Sequence, residues 1–212
     1  MAFMIRLFNY ELSEQCYKLR LFMHFLRVEY ETVAVDFYPG REHETAQLAQ
    51  NDVWARLPVL EDGVSRLHDS EAILVYLAGR YDASAAWFPA QPAARAQVVA
   101  WFPIARDLTR TASGARLHDV FGCVLDVKRA RHEARAIFRL VDDHLADREI
   151  EGRHWLAGEA PTLADIACFP CIALSHEGGI ARDDFPAIRR WIDRMRHLDG
   201  FVAMPGILGP PR

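Results

Sequence analysis

The start of the chain alternates between strand-like and helix-like patterns of apolar residues. Residues 3 to 8 form a short apolar run interrupted by Arg6, which predicts a β-strand. Ser13 precedes a run whose apolar residues recur at three- and four-residue spacing, so a helix is predicted to begin there. Residues 30 to 35 alternate as a second strand does, and the connection is long enough for a β-α-β crossover. The apolar residues of the predicted helix are Leu19, Phe22, Phe25 and Leu26.

A second group of elements follows this crossover. Residues 42 to 50 have the pattern of a weak, polar helix. Residues 56 to 60 have strand composition, and the Asp-Gly within residues 61 to 63 predicts a hairpin that returns the chain in another strand. A helical pattern then runs from residue 70 to about residue 81. The order β-α-β, α, β-β-α is that of a thioredoxin-like α/β domain.

The composition changes after Tyr81. Residues 82 to 91 are rich in Ala, Ser and Pro and contain Trp87, which is typical of a linker held in place by aromatic side chains. Beyond this linker the patterns are helical. We therefore predict a thioredoxin-like domain at residues 1–81, a linker at 82–91 and an all-helical domain at 92–212.

The helical part contains several amphipathic segments. Residues 93 to 117 predict a long helix, which Pro103 should disturb because proline lacks a backbone N–H. Apolar stripes at helical period predict two further helices, one across residues 134 to 145 and one across residues 188 to 195. Thr162 and Asp165 form a capping box at the start of another helix.

Composition restricts the class of protein. The 212 residues are 51% apolar and 25% charged, which is ordinary for a globular chain, and the net charge of −4 does not favour nucleic acid. The N-terminal residues lack the pattern of a signal peptide, and no apolar run is long enough to cross a membrane, so we expect a cytoplasmic protein. The four cysteines are too scattered for a disulfide framework. Cys168 and Cys171 have the spacing of metal ligands but no second pair, so we expect core packing and no metal.

Four local motifs occur in a characteristic order. They are Leu12-Ser13-Glu14-Gln15-Cys16, Leu57-Pro58-Val59-Leu60, Asp69-Ser70-x-Ala72-Ile73 and Thr162-Leu163-Ala164-Asp165-Ile166-Ala167. Together they resemble the cytosolic glutathione S-transferase family, in particular its theta-like and bacterial members of the serine type. The resemblance covers nearly the whole chain. It implies a thioredoxin-like N-terminal domain followed by an all-α domain, glutathione as co-substrate, and a homodimer.

The resemblance implies that Ser13 is the catalytic residue. A thiol of ordinary pKa is mostly protonated at neutral pH, and a hydroxyl at the positive end of a helix would stabilise the reactive thiolate. Capping of the helix alone would also explain Ser13, and the two roles are compatible. A redox motif would need cysteine where Ser13 stands, so dithiol exchange is not expected, while glutathionylation of Cys16 is an alternative.

The other glutathione contacts are predicted on two motifs. If the Leu57–Pro58 bond is cis, the Leu57 backbone can pair with the cysteinyl part of glutathione as an added strand would. Ser70 suits the γ-glutamyl carboxylate and Asp69 suits the ammonium, although the family usually has Glu in place of Asp69. Arg56 and His43 can meet the glycine carboxylate, and the alternative is that both are solvated surface groups.

The second substrate is expected between the two domains. Its predicted walls are Tyr10, Leu12, Trp101, Ile104 and Arg106, which favour a small hydrophobic electrophile. The predicted function is that of a glutathione transferase, with no role for nucleic acid or a membrane. Two alternatives are a non-catalytic binding or regulatory protein of the same fold, and a glutathione-dependent isomerase or dehalogenase. Isomerases of this kind usually show Ser-Ser-Cys at the helix start, which this chain lacks.

Overall fold

A computed structural model describes residues 4–36 and 57–209. Its N-terminal half contains a four-stranded mixed sheet in the order β2-β1-β3-β4. Strands β1 and β2 are parallel, while β3 is antiparallel to both β1 and β4. The strands are β1 (Ile5–Asn9), β2 (Tyr30–Ala34), β3 (Val59–Asp62) and β4 (Ser65–His68). The predicted crossover and hairpin are confirmed, whereas the predicted helix at residues 42–50 lies outside the described residues.

Within residues 4–36 and 57–81, two helices accompany this sheet, α1 (Glu14–Phe25) and α2 (Ser70–Tyr81), and they pack against each other. Helix α1 is buried along most of its length, and it packs against α2 and against the helical half. The thioredoxin-like arrangement predicted from the sequence is confirmed.

The helices that follow Tyr81 make up the helical half of the protein. They are α3 (Pro92–Val99), α4 (Trp101–Leu108), a π-helical turn (Thr109–Ser113), α5 (Gly114–Phe121), α6 (Val127–Ile150), α7 (Leu163–Ala173), a 3₁₀ turn (Ser175–Gly178) and α8 (Pro186–Arg196). Apart from one isolated bridge between Met204 and Ile207, residues 82–209 contain no β-structure. None of the described helices is both long and apolar enough to cross a membrane.

The single helix predicted across residues 93–117 is divided in the structure. Helix α3 ends at Val99 and α4 begins at Trp101, because Pro103 has no N–H to donate to the carbonyl of Val99. The chain then widens into the π-helical turn before α5. The sequence pattern did not predict this turn. It forms where the backbone hydrogen bonds span five residues and not four, and that shift leaves no mark in the apolar pattern.

Helix α7 forms the centre of the helical half, and every one of its residues is buried. Its capping box is confirmed, since the Thr162 side chain accepts from the helix and Asp165 accepts from the backbone N–H of Thr162 at 2.8 Å. Cys168 and Cys171 are buried in this helix as core residues. Because α7 is buried on all sides, its sequence is apolar almost throughout and does not have a single apolar face.

The two halves share an extensive contact. Helix α1 packs against α7, and Trp87 from the predicted linker stacks on Phe25 with ring centroids 5.1 Å apart. The backbone of Trp87 accepts from the N–H of Leu163 at 2.9 Å, which attaches the linker to the start of α7. The relative positions of Ser13 and the helical half are therefore set by packing. The predicted domain boundaries stay predictions.

Candidate functional site

Ser13 lies at the N-terminus of α1, directly after the loop that follows β1. Its extended backbone ends the loop, and its Oγ accepts from the N–H of Cys16 at 3.2 Å, so it is the N-cap of the helix. The Ser13 hydroxyl also interacts with the buried Cys16 thiol and acts to lower the pKa of that thiol. An N-cap hydroxyl whose oxygen accepts from the helix can turn its hydrogen toward an anion at the positive end of the helix.

Ser13 opens into a cavity of about 340 Å³ between the two halves, which we call the Ser13 cavity. Its apolar wall is formed by Tyr10, Leu12, Leu57, Leu117 and Phe121. Its polar side chains are Ser13, Glu14, Gln15, Thr109, Ser113 and Arg116. The cavity thus combines a mostly apolar lining with polar groups gathered near the N-terminus of α1, as small-molecule sites commonly do.

The predicted proline motif borders this cavity. The peptide bond between Leu57 and Pro58 is cis, and β3 begins at the next residue, Val59. Leu57 lines the Ser13 cavity while Pro58 is buried. The structure therefore brings Leu57 together with Ser13.

Asp69, the residue before α2, has an unusual backbone. Asp69 has φ 72° and ψ 123°, a conformation that is costly for a residue with a Cβ and that concentrates at ligand-binding positions. The exposed Asp69 carboxylate accepts from the N–H of Ala72 at 3.0 Å. Ser70 is buried, and its hydroxyl lies 2.8 Å from both Gln15 Oε1 and Glu71 Oε2. One hydroxyl proton serves only one of these acceptors at a time.

Gln15 connects this motif to the helical half. Its Oε1 accepts from Ser70, and its amide nitrogen donates to Thr109 Oγ1 at 3.0 Å. Thr109 is the first residue of the π-helical turn, and its hydroxyl in turn donates to the carbonyl of Ala105. The chain of bonds crosses the boundary between the halves. Sequence reasoning missed Gln15 and Thr109, although Gln15 lies inside the motif that includes Ser13.

Arg116 is the principal cation at the cavity. Its side chain is 3% exposed, its Nε donates to Glu177 at 2.6 Å, and its Nη1 donates to the carbonyl of Leu12 at 3.0 Å. A guanidinium with two fixed acceptors has little freedom, so it holds the loop that leads to Ser13. Sequence reasoning missed Arg116 because its partners are 104 and 61 residues away in the chain.

Glu14 is a buried carboxyl directly beside Ser13. Burial raises the pKa of the Glu14 carboxyl, while Arg116, the Ser113 hydroxyl and Lys18 lower it and Glu177 raises it. The net shift is upward, so the environment favours the neutral acid more than water does. Sequence reasoning placed no role on Glu14, and no periodic pattern marks it as buried.

A buried ion pair lies one turn further into α1. Lys18 Nζ donates to Glu71 Oε1 at 2.7 Å, and the Lys18 side chain is fully buried. Burial acts to raise the pKa of the Glu71 carboxyl, but the Lys18 ammonium outweighs it and the pKa is lowered. Glu71 therefore remains a charged acceptor beside Ser70 at neutral pH.

Cys16 is poorly placed for thiol chemistry. The residue is fully buried, and burial raises the pKa of its thiol despite the nearby Ser13 hydroxyl and Arg20. A protonated, enclosed thiol is a weak nucleophile. Cys123, by contrast, is exposed and lines the Ser13 cavity.

The structure places the predicted second-substrate residues in different regions. Tyr10 and Leu12 line the Ser13 cavity, as described above. Trp101 and Ile104 line a separate groove of about 280 Å³ against α6, while Arg106 is exposed and lines neither this groove nor the Ser13 cavity. The reason is the division of the long helix: α4 directs Trp101 and Ile104 toward α6, and only the next turns reach the Ser13 cavity. His43 and Arg56 lie outside the described residues.

No set of metal ligands is formed by the described part of the chain. Within residues 4–36 and 57–209, no group of three or more His, Cys, Asp or Glu side chains lies where it could hold one ion. The polar side chains of the Ser13 cavity are hydroxyls, one amide, one carboxyl and one guanidinium. The hydroxyls and the guanidinium can donate to an anionic organic ligand.

Comparison with known proteins identifies two matching family models. The model described as "Glutathione S-transferase, N-terminal domain" matches residues 4–79, and "Glutathione S-transferase, C-terminal domain" matches residues 125–199. The two models together cover more than half of the chain. Their boundaries surround all three of the N-terminal motifs and the capping box.

Individual proteins are similar over much of the chain. Glutathione S-transferase theta-2 of Mus musculus is 34% identical over 145 residues, which is 66% of this chain and 58% of the relative, so the match spans less than two thirds of that protein. Dichloromethane dehalogenase of Methylorubrum extorquens is 23% identical over 204 residues, 90% of this chain and 70% of the relative. A crystal structure of a glutathione S-transferase from Pseudomonas fluorescens superposes with a TM-score of 0.85 at 24% identity, covering 95% of this chain and 99% of that one.

Proposed function

Since this chain belongs to the cytosolic glutathione S-transferase family, we propose that it is a glutathione transferase that activates the glutathione thiolate for attack on a small hydrophobic electrophile. One observation carries the proposal. Ser13 caps the N-terminus of α1, and it borders a mostly apolar cavity of about 340 Å³ that both halves of the chain enclose.

Ser13 is proposed as the catalytic residue. Its hydroxyl donates to the glutathione sulfur, while the positive end of α1 and the Arg116 guanidinium add favourable electrostatics. These interactions are made with the thiolate and not with the thiol, so they lower the thiol pKa. The thiol proton leaves to solvent, the sulfur lone pair forms a carbon–sulfur bond with the electrophile, and the leaving group departs with its bonding electrons.

The glutathione backbone is proposed to lie along the Leu57–Pro58 segment and the start of α2. Leu57 pairs with the cysteinyl unit, and Ser70 donates its hydroxyl to the γ-glutamyl carboxylate in place of its present bond to Gln15 or Glu71. Asp69 and the Gln15 oxygen are the acceptors for the ammonium. Arg56 and His43 remain proposed contacts of the glycine carboxylate.

The electrophile is proposed to occupy the apolar wall of the Ser13 cavity. Tyr10, Leu12 and Phe121 offer apolar surface close to Ser13, which favours small hydrophobic substrates. The positions of Trp101, Ile104 and Arg106 do not support their part in this wall, since they lie in or near another groove.

Two variants of Ser13 test the proposal. Ser13→Ala should reduce the rate of glutathione conjugation to an aryl halide by about tenfold at pH 6.5, because a thiol pKa higher by about one unit leaves a tenfold smaller thiolate fraction. Ser13→Asp keeps a capping oxygen but replaces the donor with an anion, so it should retain thermal stability while losing activity. Full conjugation rates for Ser13→Ala from pH 6 to 8 would refute the catalytic role.

Glutathione-dependent dehalogenation is the second candidate. The similarity to dichloromethane dehalogenase over 90% of the chain favours it, and the same thiolate would displace halide from a haloalkane. Halide release from a dihaloalkane, compared with conjugate formation from an aryl halide, distinguishes the two. A non-catalytic protein of this fold would show neither reaction and no retention on immobilised glutathione.

A homodimer is proposed as the assembled state. The grooved face at Trp101, Ile104 and Leu140 leaves apolar surface uncovered, with Leu140 66% exposed. Exposed apolar surface of this kind is typical of subunit contacts. Sedimentation at several protein concentrations measures the state directly, and a constant monomer mass would exclude the dimer.

A further inference from the structure

A second cavity, of about 740 Å³, lies on the helical half of the molecule and shares no lining residue with the Ser13 cavity. One wall is the solvent-facing side of α8, and the other is the loop that follows the 3₁₀ turn. Its acidic and basic lining residues are His176, Arg182, Asp183, Arg189, Arg190, Asp193 and Arg196. We call it the Arg189 cavity. Four guanidiniums in one concave surface give it a local positive character, although the net charge of the chain is −4.

The four guanidiniums differ in the groups that they bind. Arg190 donates to Glu149 through two nitrogens, so a carboxylate neutralises it. Arg196 donates to the carbonyls of Leu208 and Gly209, and the Asp193 carboxylate is 4.0 Å away. These bonds hold Arg190 and Arg196 in place.

Arg182 is held by neutral groups. Its Nη1 donates to the carbonyl of Ala173 at the end of α7 and lies 3.2 Å from His176 Nδ1. Burial lowers the pKa of the Arg182 guanidinium, Asp183 raises it, and Arg189 and Arg196 lower it, with a net downward shift. The side chain is therefore a desolvated cation repelled by two others, and an anion nearby would relieve that repulsion.

The Arg189 guanidinium is exposed and makes no hydrogen bond or ion pair with any residue of the segments 4–36 and 57–209. Arg189 lies one turn after the start of α8, a helix of 11 residues. The N-terminus of α8 already meets a carboxylate, because the N–H of Ile188 donates to Asp142 Oδ1 at 2.8 Å. The positive charge of this wall therefore comes from the guanidiniums.

From this arrangement we propose that the Arg189 cavity binds the phosphate group of a small phosphorylated molecule, with Arg189 and Arg182 as its principal ligands. Guanidiniums bind phosphate oxygens through two parallel N–H donors, a geometry that ammonium groups lack. The carboxylates Asp183 and Asp193 weaken the positive potential of the cavity. A dianionic phosphate gains more from the potential that remains than a monoanionic carboxylate does. The volume exceeds that of inorganic phosphate and leaves room for an attached organic part.

Titration calorimetry with inorganic pyrophosphate and with AMP tests the proposal on the intact chain. We expect saturable binding with a Kd below about 1 mM in low salt, weakening as salt is raised. Glutathione is left out of these titrations, and neither probe depends on Ser13, so the outcome is independent of the proposed transferase activity. No saturable heat with either probe would overturn the proposal.

Matched variants localise the binding. Arg189→Glu should weaken pyrophosphate binding at least about tenfold, and Arg139→Glu, the same charge change at an exposed position on α6, should change it less than about twofold. Asp193→Asn should strengthen binding because it removes a carboxylate from the wall. Arg189 has no structural partner, so its variant is expected to fold. Equal losses for Arg189→Glu and Arg139→Glu would show non-specific attraction and overturn the site.

Discussion

Arg116 Nη1 donates to the backbone carbonyl of Leu12 at 3.0 Å, so a side chain of α5 holds the residue immediately before Ser13. The same guanidinium donates to Glu177 at 2.6 Å. The helical half therefore supplies support and a guanidinium beside the N-terminus of α1. An N-terminal half alone would have Ser13 but neither of these contacts.

Replacement of Arg116 by alanine should affect stability and activity together. The Leu12 carbonyl and the Glu177 carboxylate would lose a buried charged partner, which costs about 2–4 kcal/mol. The conjugation kcat/KM should fall by at least about tenfold, because the loop to Ser13 loosens and the cavity loses its cation. Urea denaturation and steady-state kinetics measure the two effects. Arg139→Ala, at an exposed position, should change neither.

Gly178 offers a test of Arg116 placement without touching its side chain. A Cβ on Gly178 would lie 2.7 Å from the backbone nitrogen of Arg116 and 3.0 Å from the carbonyl carbon of Ala115. Backbone atoms cannot move aside cheaply, so Gly178→Ala should destabilise the chain by about 1–3 kcal/mol. Gly79→Ala has open space inside α2 and should instead stabilise it by about 0.5–1 kcal/mol. Similar melting temperatures for both variants would contradict the contact.

The Glu14 carboxyl predicts a pH dependence of stability. Its pKa is raised above the ordinary 4.5, so the folded chain binds this proton more tightly than the unfolded chain does. The contribution is complete below pH 4.5 and is lost as the pH rises through the folded pKa. Glu14→Gln does not titrate and should melt higher than the parent at pH 8, with a smaller difference at pH 4.

Glu14→Gln should also alter catalysis. A negative charge beside Ser13 disfavours the glutathione thiolate, and its removal should shift the acid limb of the kcat/KM profile to lower pH. Glu159→Gln, an exposed position away from the cavity, is the control and should leave the profile unchanged. A profile that moves to higher pH in Glu14→Gln would show that the carboxylate assists thiol deprotonation.

Asp165 should be the most sensitive carboxylate for folding. It accepts from the N–H of Leu156 at 3.0 Å, the N–H of Thr162 at 2.8 Å and the indole of Trp191 at 2.9 Å. In Asp165→Asn the side-chain NH₂ group would face N–H groups that now donate to the carboxylate. The free energy of unfolding should therefore fall by about 3 kcal/mol or more. Chemical denaturation measures this loss. Asp143→Asn, exposed on α6, should have an effect within about 0.5 kcal/mol.

Gln15 should act on glutathione binding more than on chemistry. Gln15→Ala removes the acceptor of Ser70 and the donor to Thr109, so the KM for glutathione should rise by about three- to tenfold with a smaller change in kcat. Thr109→Val should move KM in the same direction. Gln97→Ala, exposed on α3, should have no effect. A fall in kcat at constant KM would place Gln15 in the chemical step.

Local patterns in the sequence determined most of the fold and part of the candidate site. Apolar periodicity and turn residues predicted the order of the strands and helices, because each signal lies within a few residues of the element it specifies. Ser13, Leu57, Asp69 and Ser70 were predicted in the same way, as caps and as a proline strand start, and their roles in binding stay predictions. Trp101 and Ile104, also predicted at the site, line a separate groove in the structure.

The electrostatic surroundings of Ser13 were decided only by the tertiary structure. Arg116 reaches Leu12 across 104 residues, and Gln15 reaches Thr109 across 94. Glu14 is buried because two halves close around it, not because of any neighbour in the chain. Hydrogen bonds and charges act over a few ångströms in space, so residues distant in sequence leave no periodic signal. The sequence by itself determined which residue caps α1, and the packing of the helical half decided which charges that cap faces.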